Sequence, residues 1–212
     1  MELLDQLTTA VFPFAFIWFV LLLGVRTAVV LRRGYSVGFS PAKGSPRRGI
    51  LYSLSFSMLP WKKESTRRHP WTYLAGMGMH LGVFLSIIFA LGRRFWAWPD
   101  WAILIFGIAV GIGFISALGL FIKRNVKPYM RPITNLDDYI SNLLVQFYLL
   151  GGCLTAVSPT FIGLWRLGAV LLLIYIPLGK IYHMLLFFVS RILFGLQFGR
   201  RGVLKHDTPI SY

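Results

Sequence analysis

Two of the four histidines in this chain, His80 and His183, stand inside long apolar runs. An ionisable side chain within such a run is costly to place in a bilayer and marks a functional site by default. Each histidine has a glycine four residues before it, Gly76 and Gly179. The chemistry open to a neutral imidazole is metal ligation through a ring nitrogen, proton relay, or a hydrogen bond between helices. Two imidazoles from different runs point to a shared ligand, and a b-type haem held axially between them is the leading candidate. One helical turn before each histidine, the missing side chain either opens room for a flat macrocycle or allows close helix packing.

Several cations are placed to accompany such a ligand. Arg26 lies within the first apolar run, where it either snorkels to the headgroups or pairs with an acidic group of a buried ligand. Arg191 follows His183 by two turns on a similar face, and the same alternatives apply to it, with a haem propionate as the acid. Arg67 and Arg68 are further propionate candidates. His69 is suited to a headgroup or propionate contact or, with His206, to a second haem at the surface. His206 lies in the polar tail and is otherwise solvated.

These residues need elements that cross a membrane. The chain has 212 residues, 56% hydrophobic and 14% charged, with mean hydropathy +0.67. Soluble domains carry roughly 25% charged residues. The apolar runs are continuous, not alternating, so helices fit and a barrel does not. The expected fold is an all-α membrane protein, a single five-helix bundle with spans near 11–31, 71–91, 102–122, 138–157 and 163–194. Pro70 suits the start of the second span. Asn135, Asp137 and Asp138 give the fourth a cap and an acidic first turn. Gly107, Gly111, Gly113 and Gly119 suit the third to close packing. Pro177 should kink the long fifth span between one and two turns before His183.

The loop 32–70 contains nine Lys/Arg against one acid, Glu64. Its apolar middle, Ile50 to Trp61, is too short to span. It reads as an interfacial helix, a docking surface or an ordinary surface loop. Lys/Arg counts are nine, four and three in the first loop, third loop and tail, against none, two and none on the other side. The positive-inside rule therefore puts the N-terminus outside and the C-terminus in the cytoplasm. It also explains the formal net charge of +15 without nucleic acid, the counter-charges being anionic lipid and an acidic cytoplasmic partner. Trp96, Trp98 and Trp101 mark the interface between the second and third spans. The acidic start (Glu2, Asp5) and the long first run indicate a retained span, not a cleaved signal. The single cysteine, Cys153, excludes covalent c-type haem attachment and a four-cysteine cluster within the chain.

Depths along the helices agree with a shared ligand. His80 is nine residues past Trp71, about 14 Å in. His183 is eleven before Phe194, about 16 Å from that end, on an antiparallel span.

At this point the chain resembles the gamma subunit of respiratory nitrate reductase, a five-span cytochrome b, and its relatives in membrane redox complexes of anaerobes. The resemblance covers nearly the whole chain. It rests on the five spans, on Met79-His80-Leu-Gly-Val-Phe84, on Asp137 to Thr155, and on Ile176-Pro-Leu-Gly-Lys-Ile-Tyr-His183. It implies that His80 and His183 hold the haem nearer the cytoplasm. Two-haem members carry further histidines at positions that here are Ala90 and Trp165, which implies that the outer haem is absent. The basic Pro60-Trp-Lys-Lys-Glu-Ser-Thr-Arg-Arg-His-Pro70 stretch is similar to cytochrome b subunits of sulfate-reducer-type complexes. Those pair with iron–sulfur subunits like the heterodisulfide reductase catalytic chain.

The expected function is electron transfer by one haem b between a quinone such as menaquinone, or a membrane or cytochrome c partner, and a cytoplasmic iron–sulfur subunit. The expected location is a prokaryotic inner membrane. The alternative is a non-redox membrane anchor or small transporter subunit. No nucleotide loop, hydrolase motif or acid–base pair is present, so substrate chemistry is expected to belong to partners.

Overall fold

A computed structural model describes residues 1–32, 41–62, 66, 68–93, 95 and 97–204. These form α1 (Glu2–Arg32), α2 (Pro46–Leu54), α3 (Pro70–Gly92), α4 (Asp100–Val126), α5 (Leu136–Val157), α6 (Ile162–Tyr175) and α7 (His183–Arg201), joined in part by short 3-10 turns. Five segments are long and apolar enough to cross a membrane: Glu2–Arg32, Pro70–Gly92, Asp100–Val126, Leu136–Val157 and Lys180–Arg201. The expected all-helical, five-span class is therefore found. On α4, Leu104, Ile108, Ile112 and Ile115 form an apolar stripe that is more than half exposed. Water would not tolerate so continuous a stripe, and lipid does. The chain is an integral membrane protein.

The chain divides into two compact units. Residues 1–22 and 71–181 make the first, and residues 23–70 and 182–212 the second.

The first unit is held by small residues and one aromatic cluster. Gly82 of α3 meets Gly113 of α4, where a Cβ on either would stand 2.8–2.9 Å from the other's Cα. Gly107 packs on Ala156 and Gly111 on Cys153, whereas Gly119 faces nothing within 4 Å. Three of the four glycines noted in the third span thus serve helix packing. Gly151 of α5 and Gly168 of α6 pack on the backbones of Trp165 and Tyr148. This brings Trp165 into the core, where it is 5% exposed. Its indole N–H donates to Ser86 Oγ at 3.1 Å. Its ring lies about 6 Å from Phe89, Phe106 and Tyr148, and Phe89 stacks on Phe106 at 3.8 Å. Replacing Trp165 by alanine removes that ring and leaves Ser86 without its donor. The expected cost is about 3–5 kcal/mol, seen as a lower SDS-unfolding midpoint of the detergent-solubilised protein.

At the start of α1, Arg166 of α6 pairs with Asp5 and donates to Thr9. The Arg166 charge is thereby neutralised by the acid of the first turn. Further along, Trp18 donates to Ile174 O at 3.1 Å.

The fifth span differs from expectation. A continuous helix over 163–194 does not form, because α6 stops at Tyr175 and α7 starts at His183. Pro177 has no N–H to continue the ladder. Leu178 and Gly179 instead both donate to Tyr175 O, at 2.9 Å each, closing a turn. Proline here breaks the helix where a kink was expected, and the long apolar segment that can span is Lys180–Arg201, with Pro159–Tyr175 as a shorter apolar helix.

In the second unit, α2 lies across the last turns of α7. Gly49 of α2 sits against Gly195 and Gly199, and Gly195 against Ile50. The contact is backbone on backbone. Lys43 and Gly44 N–H both donate to Arg200 O, at 2.9 and 3.0 Å. Ser45 caps α2 by accepting from Arg48 N–H. α7 ends at Gly202, whose φ of 67° is the left-handed cap conformation glycine adopts freely. The apolar middle of the basic loop is thus a short helix followed by two 3-10 turns, Phe56–Met58 and Pro60–Lys62.

Candidate functional site

His80 is the eleventh of 23 residues in α3, so its helix carries it about 15 Å from Pro70. The side chain is exposed. Its Nδ1 lies 2.7 Å from Gly76 O. A carbonyl only accepts, so Nδ1 is the protonated nitrogen and Nε2 carries the lone pair in the neutral ring. That arrangement fixes the tautomer and orientation in the manner of a metal-ligating histidine, whose other nitrogen is held by a backbone carbonyl. Gly76 has open space where a Cβ would be.

Gly179 has another role. A Cβ there would overlap the Tyr175 ring and stand 2.7 Å from Asp137 Oδ1. Gly179 is buried by the chain's own tyrosine and carboxylate, so the expectation that it opens space for a flat ligand is corrected. It lets the turn after α6 close.

His183 is the first residue of α7 and is exposed. The residue before it, Tyr182, lies under the Arg26 guanidinium, 4.8 Å from Cζ to the ring centroid. Arg26 is half-buried and therefore sits one residue from His183 in the second unit. On α7, Phe187 and Arg191 follow His183 at successive four-residue steps and so share its face. The Arg191 guanidinium stands 5.6 Å over the Phe187 ring. His183, Arg191 and Arg26 belong to the second unit, and His80, Gly76 and Gly179 to the first.

A clamp not anticipated as such holds the turn that leads to His183. Asp137, in the first turn of α5, accepts through Oδ2 from Lys180 N–H at 2.9 Å. Its Oδ1 accepts from Tyr175 OH and, at 3.4 Å, from Ser141 Oγ. Lys180 Nζ donates to Asn135 Oδ1 at 3.1 Å and pairs with Asp138 at 3.0 Å. Arg124 approaches Asp138 at 3.4 Å. Asp138 also closes the capping box with Asn135. The sequence shows the cap and the acidic turn; Tyr175 and Lys180 lie 38 and 43 residues from Asp137, and no local pattern reveals them. Replacing Asp137 by alanine leaves the Lys180 N–H and Tyr175 OH without their acceptor. The expected loss is about 2 kcal/mol, and Tyr175→Phe about 1 kcal/mol, both read from SDS-unfolding midpoints.

Arg68 and His69 precede α3 and are exposed. Trp98 packs on Phe89 with centroids 5.1 Å apart, and Trp101 is exposed. Arg67, Trp96 and His206 lie outside the described residues. Among the described residues no group of three or more His, Cys, Asp or Glu is arranged to hold a metal ion. A haem iron asks for two axial imidazoles, which is a different requirement. No protein-family model, curated protein or solved structure matches the chain.

Proposed function

We propose that the chain is the haem b-carrying membrane subunit of a respiratory redox complex, with His80 and His183 as axial ligands of one haem. The observation that carries the reading is His80: an exposed imidazole in mid-helix, with Nδ1–H fixed on Gly76 O, Nε2 left basic and open space at Gly76. A b-type haem so held supplies a one-electron couple in a low-dielectric surrounding.

The chain's own residues would bind and tune. His80 and His183 give the nitrogens. Arg26 and Arg191 give positive charge near His183, suited to propionates. The Asp137 clamp fixes the backbone up to Lys180, three residues before His183.

Trp165 and its aromatic neighbours fill the core at a position where two-haem relatives in the resembled family carry histidine, which supports a single haem.

Electrons would pass between a quinone such as menaquinone, or a membrane or cytochrome c partner, and a cytoplasmic iron–sulfur subunit docked on the basic side, in a prokaryotic inner membrane. The test is a dithionite-reduced minus oxidised spectrum of the purified chain. A b-type band supports the proposal. A colourless protein after expression with haem supplied overturns it and leaves an anchor or transporter subunit.

A further inference from the structure

The α2–α7 crossing builds a surface that is apolar as well as basic, which docking of a protein by charge alone does not require. α2 buries Gly49 and Ser53, one turn apart, and these small residues form its protein-facing side. Arg47, Arg48, Leu51 and Leu54 are all exposed, and Leu51 is 68% exposed. The helix therefore turns cations and leucines outward together. Phe56 and Trp61, in the turns that follow, are exposed as well. The hydrogen bonds from Lys43 and Gly44 to Arg200 O bring the segment before α2 to the end of α7. Lys43, Arg47, Arg48, Arg200 and Arg201 are gathered at one end of the unit.

The sequence of this unit is strongly basic. The two ranges of the second unit contain fourteen Lys/Arg and two acids, Glu64 and Asp207. Both acids lie outside the described residues. Arg47 and Arg48 also occupy the first turn of α2, where the helix dipole disfavours cations. An external anion beside Arg47 and Arg48 would relieve that penalty.

Position and composition select the anion. Gly195 and Gly199 are in the last turns of a segment long enough to span the bilayer, so α2 lies where that segment meets the headgroups. A face mixing arginine with leucine, phenylalanine and tryptophan matches the boundary between phosphates and acyl chains. An acidic protein surface would satisfy the cations and leave the apolar side chains in water.

We propose that the α2–α7 platform is a binding site for anionic phospholipid, its phosphate held by the arginines of α2 and the end of α7, its upper acyl chain against Leu51 and Leu54. Binding to the folded protein alone stabilises it.

The test uses the full chain, delipidated in neutral detergent. Thermal midpoints are measured with phosphatidylglycerol, with phosphatidylcholine, and with inorganic phosphate. Phosphatidylglycerol is expected to raise the midpoint by several degrees more than phosphatidylcholine, and inorganic phosphate to have little effect. In R47Q/R48Q most of that difference should disappear, while K127Q, a cation outside the unit, should keep it. Circular dichroism checks that both variants keep their helices. If R47Q/R48Q does not fold, R201Q is measured instead, with the same expectation of a reduced difference. Equal shifts from both lipids, an equal shift from inorganic phosphate, or an unchanged difference in the variants would overturn the proposal. The last outcome would leave an acidic protein as the partner.

Discussion

Replacing either His80 or His183 by alanine is expected to remove the b-type band from the dithionite-reduced spectrum, or to convert it to a weaker, high-spin form. A bis-imidazole haem needs both nitrogens, and loss of one leaves an open position or releases the group. The two histidines are held differently. His80 is fixed by its own helix through Gly76 O. His183 opens α7 after a turn anchored to Asp137 at Lys180. His80→Gln is therefore informative, because its amide N–H can still reach Gly76 O while offering no imidazole nitrogen. It should lose the band as His80→Ala does. His69→Ala should keep the full band, since His69 precedes α3 at its exposed end. Retention of the wild-type band in His80→Ala or in His183→Ala would sink the ligand assignment.

Much of this arrangement is legible from local pattern. The span count follows from runs of apolar residues, and the start of α5 from Asn135 and the acids after it, since capping acts over three residues. The histidines announce themselves because ionisable groups are rare in apolar runs. What is not legible depends on partners distant in the chain. Pro177 reads as a kink, yet it becomes a break because Asp137 can accept from Tyr175 OH and Lys180 N–H together. Gly76 and Gly179 look equivalent by spacing, four residues before a histidine each. One faces open space and the other is filled by Tyr175, a difference that a helix period cannot express. Arg26 finds the Tyr182 ring across more than 150 residues of sequence. Gly195 and Gly199 went unremarked in the sequence, although they stand one turn apart on α7. Their partner, Gly49, sits in a basic loop where a membrane-helix packing motif is not sought.

That crossing carries the second large effect. Gly49→Leu and Gly195→Leu are each expected to detach α2 from α7. A Cβ on Gly49 would overlap Gly195 O and stand 2.6 Å from Gly199 Cα. A Cβ on Gly195 would stand 2.5 Å from Ile50 Cα and 2.6 Å from Ile50 N. All of these neighbours are backbone atoms and cannot rotate away, so the helices must part. A nine-residue helix is too short to persist in water alone. The expected penalty is ~3 kcal/mol, which accelerates amide exchange in α2 about a hundredfold. Hydrogen exchange read by mass spectrometry should show that change across Pro46–Leu54, with α5 protected as before. Gly24→Leu is the matched control, since nothing lies within 4 Å of its Cβ position. It should leave α2 exchange unchanged. If Gly49→Leu or Gly195→Leu also leaves it unchanged, α2 is not held by this contact. Where α2 is released, the preference for phosphatidylglycerol should fall with it, because Arg47 and Arg48 lie in the first turn of that helix.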